Sequence, residues 1–178
     1  MHGSVLHGFK QFVLGRDGRQ AWDNVCVDAG ASGWYFSTET YPDEELAALV
    51  RTTAAHEERS VQEVLQDFGT SLAALLLDMY AAFVQPAWRT LDLLLATETL
   101  MHRTVRMQDP SATPPHLYAK RVSEREVHIE YTSQRRLCSL AVGICRGVAN
   151  HYGESVMIEQ PECMERGSPA CRLVVRLM

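Results

Sequence analysis

The order of elements readable along the chain predicts an α+β fold. Three observations carry that prediction. Apolar residues recur at helical spacing through roughly the first hundred residues. Short alternating segments bounded by turn residues come only after residue 110. One further helical stretch stands among those segments, so the order is helices first and then β-β-α-β-β.

Val5, Phe9, Phe12 and Val13 open the chain at helical spacing, and Gly15 with Gly18 closes that run. Residues 21–27 suit a second short helix, and 30–41, rich in Gly, Ser and Thr, reads as loop. Pro42 followed by Asp43, Glu44 and Glu45 starts the next helix, with acidic residues where the helix dipole favours them. Ser60-Val61-Gln62-Glu63 is a capping box opening another, in which Gly69 weakens the helix by ~1 kcal/mol relative to Ala. Residues 88–107 predict one long amphipathic helix. Pro110 begins a seam that ends in Thr113-Pro114-Pro115, which is not helical. Beyond it, 117–122 and 126–131 predict strands around a turn at Ser123-Glu124-Arg125. A helix over 137–152 ends near Gly153, and strands at 155–159 and 172–177 flank a Cys- and Gly-bearing loop.

A length of 178 residues fits one domain, which buries roughly 70% of its unfolded surface. A net charge of -5 argues against a nucleic-acid platform, though it does not forbid a local basic patch. The longest strongly apolar run, 71–77, is interrupted by Asp78, well short of the roughly 20 residues a membrane span needs. The N-terminus lacks the charge pattern and apolar core of a signal peptide. These features predict a cytoplasmic protein whose five cysteines stay reduced. Four of the five lie in the last third of the chain, an uneven distribution that suggests a shared role.

Two sets of residues carry chemistry. His102 lies on a helix with Leu94, Leu95, Met101 and Val105 near it. A lone histidine of this kind is usually a core or surface residue, but a neutral imidazole is also the common axial ligand of haem iron. Tyr131, Ser133 and Arg135 alternate at i, i+2 and i+4, so on an extended segment they point the same way. Two hydroxyls and a guanidinium fork suit a pair of carboxylates on one rigid body, such as haem propionates; a solvated strand end is the plainer alternative.

The Tyr-Thr-Ser-Gln-Arg segment at 131–135 resembles the Tyr-x-Ser-x-Arg motif of the haem nitric oxide/oxygen-binding (H-NOX) family. His102 precedes Tyr131 by 29 residues, as the family's proximal ligand does. Ala112-Thr113-Pro114-Pro115 between them, the opening Met-x-Gly and the helix order also match, over essentially the whole chain. The resemblance implies a single H-NOX domain over 1–178. It comprises a helical distal lobe (approximately 1–65) and a proximal lobe of helices and a four-stranded antiparallel sheet (66–178), with haem b between them. It implies that His102 ligates the iron, that Tyr131, Ser133 and Arg135 hold the propionates, and that Pro115 presses on the porphyrin. Gly69 matches a hinge glycine; a close helix crossing would equally require it.

Oxygen-binding members carry a tyrosine at the position of Leu140, beside the positions of Phe9 and Leu72. An apolar wall at these three implies a nitric oxide sensor that also takes carbon monoxide and excludes oxygen. In the family, nitric oxide weakens the iron–histidine bond and the lobes shift. With no output domain before Met178 and no nucleophile and base at recognisable spacing, the chain is expected to be a sensor acting in trans and not an enzyme. A histidine kinase or a cyclic-di-GMP enzyme is the partner the family implies.

Cys163 and Cys171 flank a turn-prone loop, and Cys138 and Cys145 share a helix face. Clustered thiols suit structural zinc. Some bacterial H-NOX proteins bind zinc here through three cysteines, matched by Cys138, Cys163 and Cys171, and one histidine. That histidine is Gln160 in this chain, a poor zinc ligand, so the site stands only where Cys145 or His151 completes it; buried free thiols are the alternative. The competing functions are a zinc-stapled structural or small-molecule-binding module without functional haem, and an oxygen carrier or haem enzyme, which Leu140 disfavours.

Overall fold

The computed structural model describes residues 1–108 and 112–178; Pro110, the predicted start of the seam, lies outside them. The chain begins with α1 (Gly3–Ala29), which breaks at Gly18, where φ is 82° and ψ is -178°. No L side chain adopts that backbone easily, so the glycine converts one helical run into the two short helices the sequence predicts. Next come α2 (Asp43–His56) and α3 (Val61–Met79). Ser60 caps α3 by accepting from the Glu63 N–H, and the Glu63 carboxylate accepts from the Ser60 N–H in return.

The single helix expected over 88–107 runs without a break from Thr90 to Gln108, but its middle turn is π-helical. α4 (Thr90–Thr97) starts late because Pro86 precedes it and because Asp92 and Glu154 accept the Arg89 and Thr90 N–H groups at 3.0 and 3.2 Å, fixing the helix end there. A π-helical turn (Glu98–His102) follows, in which the Arg103 N–H reaches back to the Glu98 carbonyl, and α5 (Arg103–Gln108) resumes the α-helix. Such a widened turn is common at functional sites.

Four strands, β1 (His116–Ser123), β2 (Glu126–Thr132), β3 (Val156–Glu162) and β4 (Cys171–Leu177), form one antiparallel sheet in the order β1-β2-β4-β3, with α6 (Cys138–His151) between β2 and β3. Val127, Ile129 and Tyr131 of β2 pair with Val175, Leu173 and Cys171 of β4, so one face of the sheet presents a continuous apolar row. β3 runs past its predicted end at Glu159. Pro161 is tolerated there because β3 is an edge strand with a register shift between Glu159 and Glu162.

The core has two main clusters. Leu6, Phe9, Trp22, Leu46, Leu49 and Phe68 centre the first, among the opening helices. Ala73, Leu77, Leu93, Val127, Leu173 and Val175 centre the second, between the sheet, α4 and α6. They meet along α3, whose Phe68 and Leu72 belong to the first and Ala73 and Leu77 to the second.

α3 and α6 approach closely enough to exclude a Cβ at three glycines. One added at Gly69 would overlap the Leu140 carbonyl oxygen and sit 2.9 Å from the Gly143 Cα; one at Gly147 would overlap the Thr70 carbonyl. Thr70 Oγ1 donates to the Gly143 carbonyl across the crossing at 3.2 Å. Gly69 therefore serves a close helix crossing, the second of its two sequence readings. Gly143→Ala would drive its methyl into the Gln66 backbone, which cannot rotate away. The variant is expected to lose ~1–3 kcal/mol, the usual cost of overpacking, measured as a lower urea midpoint at unchanged slope.

Candidate ligand cavity and thiol cluster

A cavity of about 260 Å³ lies where the two core clusters meet. His102 enters it from the π-helical turn, Leu72 from α3 and Leu140 from α6, while Pro115 borders it just before β1. The His102 side chain is 18% exposed. Its Nδ1 lies 3.0 Å from Glu98 Oε2, and a carboxylate oxygen only accepts, so Nδ1 carries the proton and donates. Burial holds the imidazole below its ordinary pKa against the opposing pull of Glu98. The group is therefore neutral at pH 7, with Nε2 left as a lone-pair donor, the state in which histidine ligates metals.

Arg106 Nη1 and the Leu117 N–H also donate to Glu98, at 2.8 and 3.1 Å. Burial pushes this carboxyl up, but the bonds from Arg106, His102 and Leu117 outweigh it and leave its pKa below the usual glutamate value. Sequence reasoning missed Glu98 and Arg106, although both stand four residues from His102 and so share its helix face.

The polar edge of the cavity holds Tyr131, Ser133 and Arg135 together, but not by the strand periodicity that suggested them. β2 ends at Thr132, and Ser133 and Arg135 sit in the following turn, closed by the Arg136 N–H on the Ser133 carbonyl at 3.2 Å. Tyr131 is 3% exposed, and burial raises its pKa to about 12, so it stays a phenol and a donor. Arg135 Nε lies 2.7 Å from Asp43 Oδ1, whose other cation is the Met1 amino group at 2.8 Å; the guanidinium also donates to Thr113 Oγ1 at 2.7 Å and to the Thr113 carbonyl. Asp43 at the start of α2 is thus a second residue the sequence did not single out.

Leu72 and Leu140 line the cavity as expected, with Val5, Leu76 and Ile144, none of which can donate a hydrogen bond. Phe9 does not line it. That ring is fully buried one layer behind, edge-on to Phe68 with centroids 5.0 Å apart, because the first core cluster claims its face of α1. Tyr80 does line the cavity, from the C-terminal end of α3, eight residues or about 12 Å of helix beyond Leu72.

Cys138, Cys163 and Cys171 form a separate buried cluster behind Tyr131, their sulfurs all within 4.8 Å of one another. Cys138 and Cys163 approach to 3.7 Å, and the Met164 N–H donates to Cys171 at 3.1 Å. Burial pushes the Cys138 thiol up to about 12. At Cys163 burial also acts upward, but the Glu165 N–H and the neighbouring thiols bring it below the usual value. Neither expected fourth ligand joins them. Cys145 follows Cys138 by seven residues, about 10 Å along α6, and packs into the sheet core instead; His151 is exposed and lies edge-on to Tyr152. Among the described residues the cluster has three ligands.

Fold and site together define an α+β domain enclosing an apolar cavity, with the His102 imidazole in its lining and one guanidinium-and-hydroxyl edge. The sequence matches the family model described as Haem-NO-binding over residues 2–160. The chain belongs to this family of haem-based gas sensors. A triple-substituted H-NOX protein from S. oneidensis in the Fe(II) state is similar at TM-score 0.93 and 24% identity, covering 100% of this chain and 96% of that one. The S. oneidensis protein in the Fe(II)NO state gives 0.92 at 24% identity, with 100% and 99% covered. The unliganded Fe(II) H-NOX protein from K. algicida gives 0.88 at 19%, with 100% and 97% covered. The helices and four-stranded antiparallel sheet are those of the H-NOX fold. No curated protein matches the sequence. No described helix is long and apolar enough to cross a membrane.

Proposed function

We propose that the protein is a cytoplasmic nitric oxide sensor that holds one haem b through His102 and signals to a separate protein. The observation that carries this reading is a half-buried imidazole whose Nδ1 is held by Glu98, in the lining of an apolar cavity that has a single cationic edge. That donor set fits a flat apolar group with one metal to ligate and two carboxylates to anchor. Tyr131, Ser133 and Arg135 would hold the propionates, Pro115 would touch the macrocycle, and Leu72 and Leu140 would wall the gas side. Ferrous haem supplies the centre that takes nitric oxide or carbon monoxide. Haemin added to the haem-free protein is expected to bind at one per chain with a strong Soret band; a chain that takes up none would instead be a ligand-binding module without functional haem.

Regulation would run through two lobes, approximately 1–65 and 66–178. The core does divide into two clusters, although the first takes Phe68, Leu72 and Leu140 from beyond residue 65, and the chain from the Met1 amino group through Asp43 to Arg135 gives the ligand edge a contact with α2. Release of His102 would relax the turn that carries it and alter the surface offered to a histidine kinase or a cyclic-di-GMP enzyme. Arg135→Ala should remove a charge-assisted partner worth ~1.5–3 kcal/mol and speed haem loss roughly tenfold to a hundredfold, with unchanged axial ligation of the haem that remains. Haem transfer to an excess of apomyoglobin measures that rate, and an unchanged rate would remove Arg135 from the anchor.

The three thiols would also suit a zinc ion. Because Cys145 and His151 stand apart from the cluster, its fourth ligand would be water or Gln160. Zinc is expected at about one per chain in anaerobically purified protein and is lost in Cys163→Ala. Metal analysis finding none would leave the cluster as buried thiols.

A further inference from the structure

Glu98 accepts three hydrogen bonds beside His102. Its Oε2 takes the His102 Nδ1 proton at 3.0 Å and the Leu117 N–H at 3.1 Å, and its Oε1 takes Arg106 at 2.8 Å. Arg106 in turn donates to the Pro115 carbonyl at 3.0 Å. The π-helical turn brings Glu98 and His102 to the same side of one widened turn, four residues apart. Glu98 and His102 are largely withdrawn from solvent, at 24% and 18% side-chain exposure, so water competes weakly for these bonds.

We propose, resting on the haem reading above, that Glu98 is the positioning residue of the axial ligand and that Glu98 and Arg106 set the strength of the iron–histidine bond in opposite senses. A carboxylate on the outer N–H of a ligating imidazole fixes the ring and raises the electron density at the other nitrogen, which strengthens the bond to a metal. Arg106 shares the same carboxylate and draws its charge away from the imidazole. The pair therefore works as a balance. More carboxylate character at His102 makes the ligand harder to release, and less makes it easier. Because Arg106 also holds the Pro115 carbonyl, and Glu98 the first residues of β1, the ligand, the cavity floor and the sheet share one network. The stimulus needed to detach His102 is thereby written into residues outside the cavity lining.

Two measurements test this. In the haem-free protein at neutral pH, the His102 ring should be the Nδ1–H tautomer by ¹⁵N-resolved NMR, and Glu98→Gln should shift it toward a mixture. In ferrous haem-loaded protein, Glu98→Gln should lower the iron–histidine stretching frequency in resonance Raman spectra and raise the five-coordinate share after nitric oxide. Arg106→Gln should move both the other way. A role limited to structural support would weaken the bond in both variants. Frequencies that stay put, or shift in the same direction, would overturn the proposal while leaving haem binding through His102 intact; a protein that takes up no haem while keeping the Nδ1–H tautomer would overturn the haem reading and this proposal's bond-strength claim together.

Discussion

The His102→Ala protein is expected to lose most of its haem. Among the other described residues bordering the cavity only His2 carries an imidazole, and its Nδ1 lies 2.7 Å from Ser4 Oγ at the cap of α1, so none offers the iron an equivalent nitrogen from the same turn. The proposed anchors Tyr131, Ser133 and Arg135 remain, and weak binding without the native ferrous spectrum should persist. Added imidazole should restore part of the spectrum by occupying the space the side chain leaves. The fold should survive, because His102 is not part of either core cluster and Ala suits a helical position. The far-ultraviolet circular dichroism spectrum checks that point, and the Soret band with and without imidazole checks the ligand. Retention of the native ferrous spectrum without imidazole would remove His102 from the metal.

Gas selectivity should show the second large effect. Leu140 is 8% exposed and lines the cavity where a phenol would be needed to favour oxygen. Without a donor there, oxygen gains no hydrogen bond, a loss of ~1.5–3 kcal/mol or roughly tenfold to a hundredfold in affinity. Nitric oxide and carbon monoxide do not depend on one. Ferrous protein in air is expected to show no stable oxygen spectrum while binding both other gases. Leu140→Tyr should introduce measurable oxygen affinity if its ring clears Ile144 and the α3–α6 crossing, where Leu140 already contributes the carbonyl that meets Gly69. A stable oxygen spectrum in the unmodified protein would point to a donor elsewhere in the lining, and Tyr80 is the residue to replace first.

The parts legible in the sequence are those fixed by local patterns. The Ser60 capping box, the break at Gly18 and the strands around Ser123 follow from short-range rules, and each stands where those rules put it. His102 and the Tyr131–Ser133–Arg135 set were found by spacing and resemblance, and the structure brings all four to one cavity. The parts that were not legible depend on long-range packing. The π-helical turn at Glu98 arises where α4 meets the start of β1, and nothing local marks it. Phe9 shares its helix with Val5 in the cavity, but its own face belongs to Phe12 and Phe68. Cys145 shares a helix face with Cys138, which periodicity shows, yet two helical turns separate them, which a shared face conceals. Asp43 reaches Arg135 only through tertiary contact.

The central claim is that this chain presents ferrous haem to nitric oxide through His102. Its most direct test is the resonance Raman spectrum of the anaerobic ferrous protein before and after one equivalent of nitric oxide. An iron–histidine stretching band that is present beforehand, absent in His102→Ala, and abolished by nitric oxide is the predicted result. A protein with no such band, or one whose band is the same in His102→Ala, would contradict it.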